Sequence, residues 1–178
     1  MTESTTRDSG PAASRRALLG AAWTAPVVVA ASTAPAYAAS AAASLVLDTF
    51  AVYPDDYNGA SPNRIKTQVQ VRREWSATAP VVTSLTVTLS FPGTSAAGGA
   101  ALSVTGTGWA AGKVTGSSDT VWTYTFTWTG ALTNDAQSTP ELTFSVKRRN
   151  VPTTSASLTV VATSPQATSA SRTITATV

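Results

Sequence analysis

Carboxylates are the side chains on which proton transfer in this sequence would have to rest, because it contains neither histidine nor cysteine. Ser-His-Asp catalysis, imidazole acid/base chemistry, thiolate nucleophiles, disulfides and thiolate or imidazole metal ligation are thereby excluded. Four acids stand out: Glu74, Asp119, Asp135 and Glu141. A glycosidase needs two carboxyl groups facing each other across a cleft, whereas these four fall at strand ends and turns, where acids are ordinarily solvated. No pair can be inferred, so the chain is expected not to be an enzyme; a glycoside hydrolase-like enzyme is the third functional reading, and no cofactor is expected. Asp55, Asp56 and Asn58, with Asn63 nearby, are the nearest approach to a metal set. Calcium takes about six to eight oxygen ligands, and the spacing does not fit an EF-hand loop. Tyr57-Asn58-Gly59-Ala60 has the composition of a plain turn, so no metal is expected. Aromatic rings offer the other chemistry, stacking on a sugar or a protein. Trp75 and Trp109 lie near turns and are the candidates for ligand contact, whereas Trp122, Tyr124, Phe126 and Trp128 share one strand face and are expected to form core.

The elements that would position these groups follow an N-terminal leader. A polar start carrying Arg7 leads to Ser14-Arg15-Arg16, an apolar stretch through Ala31, and small residues closing at Ala36-Tyr37-Ala38. That order is the order of a cleavable secretory signal over residues 1–38, with cleavage expected before Ala39. Leu18 to Val29 is too short for a membrane span and is interrupted by Pro26, so no stable membrane insertion is expected after cleavage. No cysteine is present for lipid attachment, and the C-terminal residues read as a last strand. A short linker, 39–43, precedes the domain at 44–178. Nine basic and seven acidic residues between Ala39 and Val178 give a net charge of +2, too weak a field to imply nucleic acid. The basic runs Arg72-Arg73 and Lys147-Arg148-Arg149 are expected at strand ends, discouraging edge pairing.

Downstream of Ser44 the dominant signal is period-2 alternation, the mark of strands with one buried face. The clearest runs are Val121 to Thr129, Ser84 to Phe91, Leu142 to Val146 and Ile65 to Arg72. Leu45 to Val52, Ala101 to Thr105, Ala156 to Thr163 and Ser171 to Val178 are fainter. About eight short strands, separated by Gly-, Pro- and Asn-bearing segments that include Gly112 to Ser118, predict an all-β domain. Its expected form is an antiparallel immunoglobulin-like β-sandwich of about 7–8 strands, without helix.

Two resemblances attach to these residues. Ser14, Arg15, Arg16 and Leu19 resemble the twin-arginine export motif, with Leu18 where Phe is commonest and Gly20 where Lys is frequent. The segment Ser32 to Ala38 lacks the basic residue many such signals carry. The implied partners are an export translocase and, at Ala36 and Ala38, a signal peptidase. The second resemblance runs from Ser84 to Val178. Gly106-Thr107-Gly108-Trp109, Trp122 to Phe126, Gly130-Ala131-Leu132 and Leu142 to Val146 resemble immunoglobulin-like repeat domains of bacterial, actinobacterial-type exported surface proteins. It implies a non-catalytic stalk, adhesion or binding role; with the leader, the expectation is a secreted or non-covalently surface-held structural or interaction module, whose partner is another envelope protein or a second copy through an edge strand. The alternative is a carbohydrate- or cell-wall-binding module, with wall polysaccharide as partner.

Overall fold

The structure, a computed structural model, describes residues 42–55, 63–149 and 155–178. Ser14, Arg15, Arg16, Leu19, Ala36, Ala38, Asp56 and Asn58 lie outside the described residues. The described chain is all-β, with nine strands. They are β1 (Ala43–Asp55), β2 (Arg64–Arg73), β3 (Val82–Pro92), β4 (Leu102–Thr105), β5 (Trp109–Gly116), β6 (Val121–Leu132), β7 (Leu142–Lys147), β8 (Ser155–Ser164) and β9 (Ala167–Thr177). The eight expected strands are all present. The ninth, β5, occupies Trp-Ala-Ala-Gly-Lys-Val-Thr-Gly, whose glycines read as a turn; cross-strand pairing with β6 holds it extended despite them.

The strands form a single mixed sheet in the order β4-β7-β2-β1-β9-β8-β3-β6-β5, which curls until it is nearly a barrel. Every neighbouring pair is antiparallel except β1 and β9, which run parallel and meet only at Ala43↔Ala167 and Ser44↔Thr168. The purely antiparallel arrangement expected from sequence is therefore corrected to a mixed one, the exception being the join between first and last strands. The two terminal strands of the order, β4 and β5, are consecutive in the chain. Gly106-Thr107-Gly108 carries the backbone from one sheet edge to the other. Gly108 has φ +82°, and a Cβ there would sit 2.6 Å from the Thr129 carbonyl oxygen, so the crossing needs glycine.

Alternation explains what is buried. Ile65, Val69 and Val71 of β2, Leu85, Val87, Leu89 and Phe91 of β3, and Leu158, Val160 and Ala162 of β8 point inward, with their sequence neighbours outward. In β1 the register shifts between Leu47 and Thr49, so Leu45, Leu47 and then Phe50 all face the core. That bulge is why the run looked faint in sequence: the apolar positions change parity halfway along. The outer face of β3, β6 and β8 is mostly Ser and Thr.

Phe144 of β7 joins the two halves of the sheet across the interior. Its ring centroid lies 4.4 Å from Phe126, 6.3 Å from Tyr124 and 6.4 Å from Phe91, although β7 is a sheet neighbour of neither β3 nor β6. Tyr124 and Phe126 are fully buried, Trp128 is buried, and Trp122 is half-buried against the same core, as the aromatic face of β6 requires.

The Tyr124 hydroxyl is buried without a hydrogen-bond partner. Burial raises its pKa above the ordinary 10.0, since the phenolate would lose its hydration. The unfolded chain therefore releases this proton at lower pH than the folded one, so stability falls as pH climbs past about 10. Tyr124→Phe is expected to change stability at pH 7 by no more than about 1 kcal/mol. The same substitution should lessen the alkaline loss, read as a smaller drop in urea midpoint between about pH 7 and pH 10.5.

Candidate functional site

β2 carries its inward parity one step past Val71, and the next inward position is Arg73. Its side chain is only 1% exposed. Nε donates to the Pro80 carbonyl (3.2 Å), Nη2 to the Ala79 carbonyl (2.8 Å) and Nη1 to Asn134 Oδ1 (2.6 Å). All three acceptors are neutral, so the buried charge rests on carbonyl and amide dipoles. Such a group is tolerated inside only when its donors are satisfied. The backbone joins in: the Arg73 amide donates to the Gln137 carbonyl (2.8 Å) and the Glu74 amide to the Ser44 carbonyl (2.8 Å).

This guanidinium organises the segment between β2 and β3. Asn134, in the turn after β6, accepts from the Ser76 amide (3.4 Å) and donates through Nδ2 to the Ser76 carbonyl (3.1 Å). Ser76 Oγ in turn accepts from the amides of Thr78 (3.4 Å) and Ala79 (3.2 Å). The turn holding Asn134 is itself braced, with Thr133 Oγ1 accepting from the amides of Asp135 (3.2 Å) and Ala136 (3.0 Å). Residues 74–81 thus form a loop held at both ends and in the middle.

Trp75 stands on that loop with 65% of its surface in solvent, and Val81, at the far end of the loop, is also exposed. Leaving most of an indole in water forgoes about 2–3 kcal/mol of burial. A fold that holds the backbone beneath such a ring by so many hydrogen bonds presents it ready-oriented, which lowers the ordering cost of any contact it makes.

Trp109, the other ring singled out from sequence, is placed differently. It is half-buried, and Nε1 donates to the Pro140 carbonyl at 2.8 Å. Its amide donates to Gly106 (3.1 Å), so it belongs to the crossing from β4 to β5. One ring is committed to closing the sheet; the other is offered to solvent.

The remaining candidates are dispersed. Glu74, Asp119, Asp135 and Glu141 are all exposed. Asp119 lies in the β5–β6 turn, at the opposite end of the strands from Glu74, Asp135 and Glu141. Glu141 accepts through Oε1 from Gln68 Nε2 (2.8 Å) and Thr143 Oγ1 (3.1 Å). Asp55 closes β1 opposite Arg64. Among the described residues no group of three or more acids gathers into a metal set.

The basic runs do not guard edges. β2 lies between β7 and β1, and β7 between β4 and β2. Arg72 bridges to Asp48 on the surface (2.9 Å) while Arg73 turns inward. Arg149 Nη1 donates to the Gly93 carbonyl (3.1 Å), tying the end of β7 to the turn after β3. Period-2 counting carried one residue past Arg72 puts Arg73 on the buried face, against the strand-end surface position expected for its charge, and the three acceptors decide the matter. Asn134 carried no such signal, because its partners are distant in sequence.

No family model matches the chain, and no curated protein matches it.

Proposed function

We propose that this chain is an exported, non-catalytic interaction module, released or held non-covalently at the cell surface, in which an immunoglobulin-like β-sandwich presents Trp75 to a partner. The observation that carries this reading is the exposed indole on a loop fastened by Arg73, Asn134 and Ser76. Removal of residues 1–38 through a twin-arginine route rests on the leader sequence, Ser14-Arg15-Arg16 and Ala36-Tyr37-Ala38. The sandwich form is supported by two sheet halves whose aromatic residues meet at Phe144. A non-catalytic role is supported by the lack of histidine and cysteine and by the dispersal of the carboxylates.

Trp is enriched among residues that dominate binding energy, and its truncation at such a position costs about 2 kcal/mol or more. The test is a binding screen of the full chain and Trp75→Ala against purified wall polysaccharides and individually purified secreted proteins of the same organism. Trp75→Ala is expected to weaken binding roughly 30-fold while leaving the urea midpoint unchanged within about 0.5 kcal/mol. Equal binding by both forms would remove Trp75 from the contact. The second reading, a carbohydrate-binding module, is favoured by the same exposed ring, since indole faces stack on sugars. Retention on insoluble polysaccharide, lost in Trp75→Ala, would select it over a protein partner.

A further inference from the structure

Charge is unevenly divided between the two ends of the strands. At the Trp75 end, residues 74–81, 106–108, 133–141 and 165–166 connect the strands; they contain Glu74, Asp135 and Glu141 but no lysine or arginine. Arg64, Lys147, Arg148 and Arg149 lie at the other end. Two of the carboxylates belong to the Trp75 segment and its support. Glu74 precedes the tryptophan in the chain, and Asp135 follows Asn134, whose side chain grips Ser76 through both Oδ1 and Nδ2. Both acids are exposed, and among the described residues neither enters an ion pair. Arg73, buried beneath the loop, gives its donors to the Ala79 and Pro80 carbonyls and to Asn134, and Arg72 is paired with Asp48.

We infer that this end of the molecule receives a lysine or arginine side chain from a basic segment of a partner polypeptide, its cation over the Trp75 indole and against Glu74 and Asp135. Among aromatic rings the indole face attracts cations most strongly. An ionised carboxylate only accepts hydrogen bonds, so the two acids call for a ligand rich in donors. The neutral groups of the site point away from a sugar. Ser76 Oγ, Thr133 Oγ1 and the Asn134 side chain are already spent on bracing the loop, which leaves the hydroxyls of a saccharide few partners. Ala77 and Val81, exposed on the same loop, offer apolar surface to the aliphatic stem of a lysine or arginine. The carboxylates also steer a cation to this end over a Debye length of about 10 Å, while the arginines and the lysine at the far end repel it.

The inference rests on the Trp75 reading and adds to it the chemistry of the partner. Calorimetric titration of the full chain with a short arginine peptide, and with the same peptide carrying citrulline in place of arginine, tests it. The arginine peptide is expected to bind and its uncharged twin to bind roughly tenfold more weakly. Glu74→Gln combined with Asp135→Asn should cost the arginine peptide a similar factor. The circular-dichroism spectrum and urea midpoint should stay unchanged, because neither carboxylate takes part in bracing the loop. Raising the ionic strength from about 0.01 to 0.1 M, which shortens the Debye length from about 30 to 10 Å, should weaken binding to the parent more than to the doubly substituted chain. A citrulline peptide that binds as tightly as the arginine one, or a double variant with parental affinity, would overturn the proposal. So would retention on a glucosamine polymer without binding of the arginine peptide, which would make the ligand an amino sugar. The Trp75 reading fails separately: it falls if Trp75→Ala leaves partner binding unchanged, and it stands if Trp75→Ala weakens a binding that the charge substitutions leave untouched.

Discussion

Replacing Arg73 with methionine is expected to destabilise the domain by about 3 kcal/mol, read as a lower midpoint of urea unfolding with the slope retained. The substitution keeps much of the aliphatic volume and removes the fork of donors. The carbonyls of Ala79 and Pro80 and the Asn134 side chain, now bonded at 2.8, 3.2 and 2.6 Å, would lose their charged donor together. Removing a buried charge returns some desolvation cost, which is why the expected loss is less than three charged hydrogen bonds added up. Arg73→Lys should recover only part of it, because an ammonium on a single stem cannot reach acceptors spread across two loops. A methionine variant as stable as the parent would show that the guanidinium contributes nothing to the fold.

The second large effect is expected at Phe144. Phe144→Ala should cost about 4 kcal/mol, since the ring is fully buried and touches Phe91, Tyr124 and Phe126 on the far half of the sheet. The cavity would open between strands whose spacing is fixed by their own ladders, so little can collapse into it. Phe144→Leu, which keeps an apolar side chain in place, should cost about 1–2 kcal/mol. The same urea series measures both, and a loss below about 1 kcal/mol for the alanine variant would mean that the halves do not depend on this contact.

Most of the strands were legible because their faces differ in chemistry. In β6 the aromatic residues and the threonines separate cleanly by parity, and so do the apolar and hydroxyl residues of β3. β5 was not legible: Gly112 and Gly116 weaken any strand signal, and only pairing with Tyr124, Phe126 and Trp128 of β6 shows the segment to be extended. The parallel join of β1 to β9 was also out of reach, for it depends on two residue pairs between strands at opposite ends of the domain. At the candidate site Trp75 was visible as an aromatic near a turn, but Trp109 looked the same. Their difference comes from the Pro140 carbonyl, which takes the Trp109 indole proton. Arg73 was misread because its charge outweighed its parity, and the compensating acceptors come from residues 79, 80 and 134.

In the proposed module the polypeptide under Trp75 is rigid before any partner arrives. Amide hydrogen exchange of the full chain tests it directly, comparing residues 76–79 with the strands in the parent and in Arg73→Lys. Slow exchange at Thr78 and Ala79 in the parent, faster in the lysine variant while β3 and β6 stay protected, is the predicted result. Exchange of these amides at the rate of an unstructured peptide in the parent would contradict it.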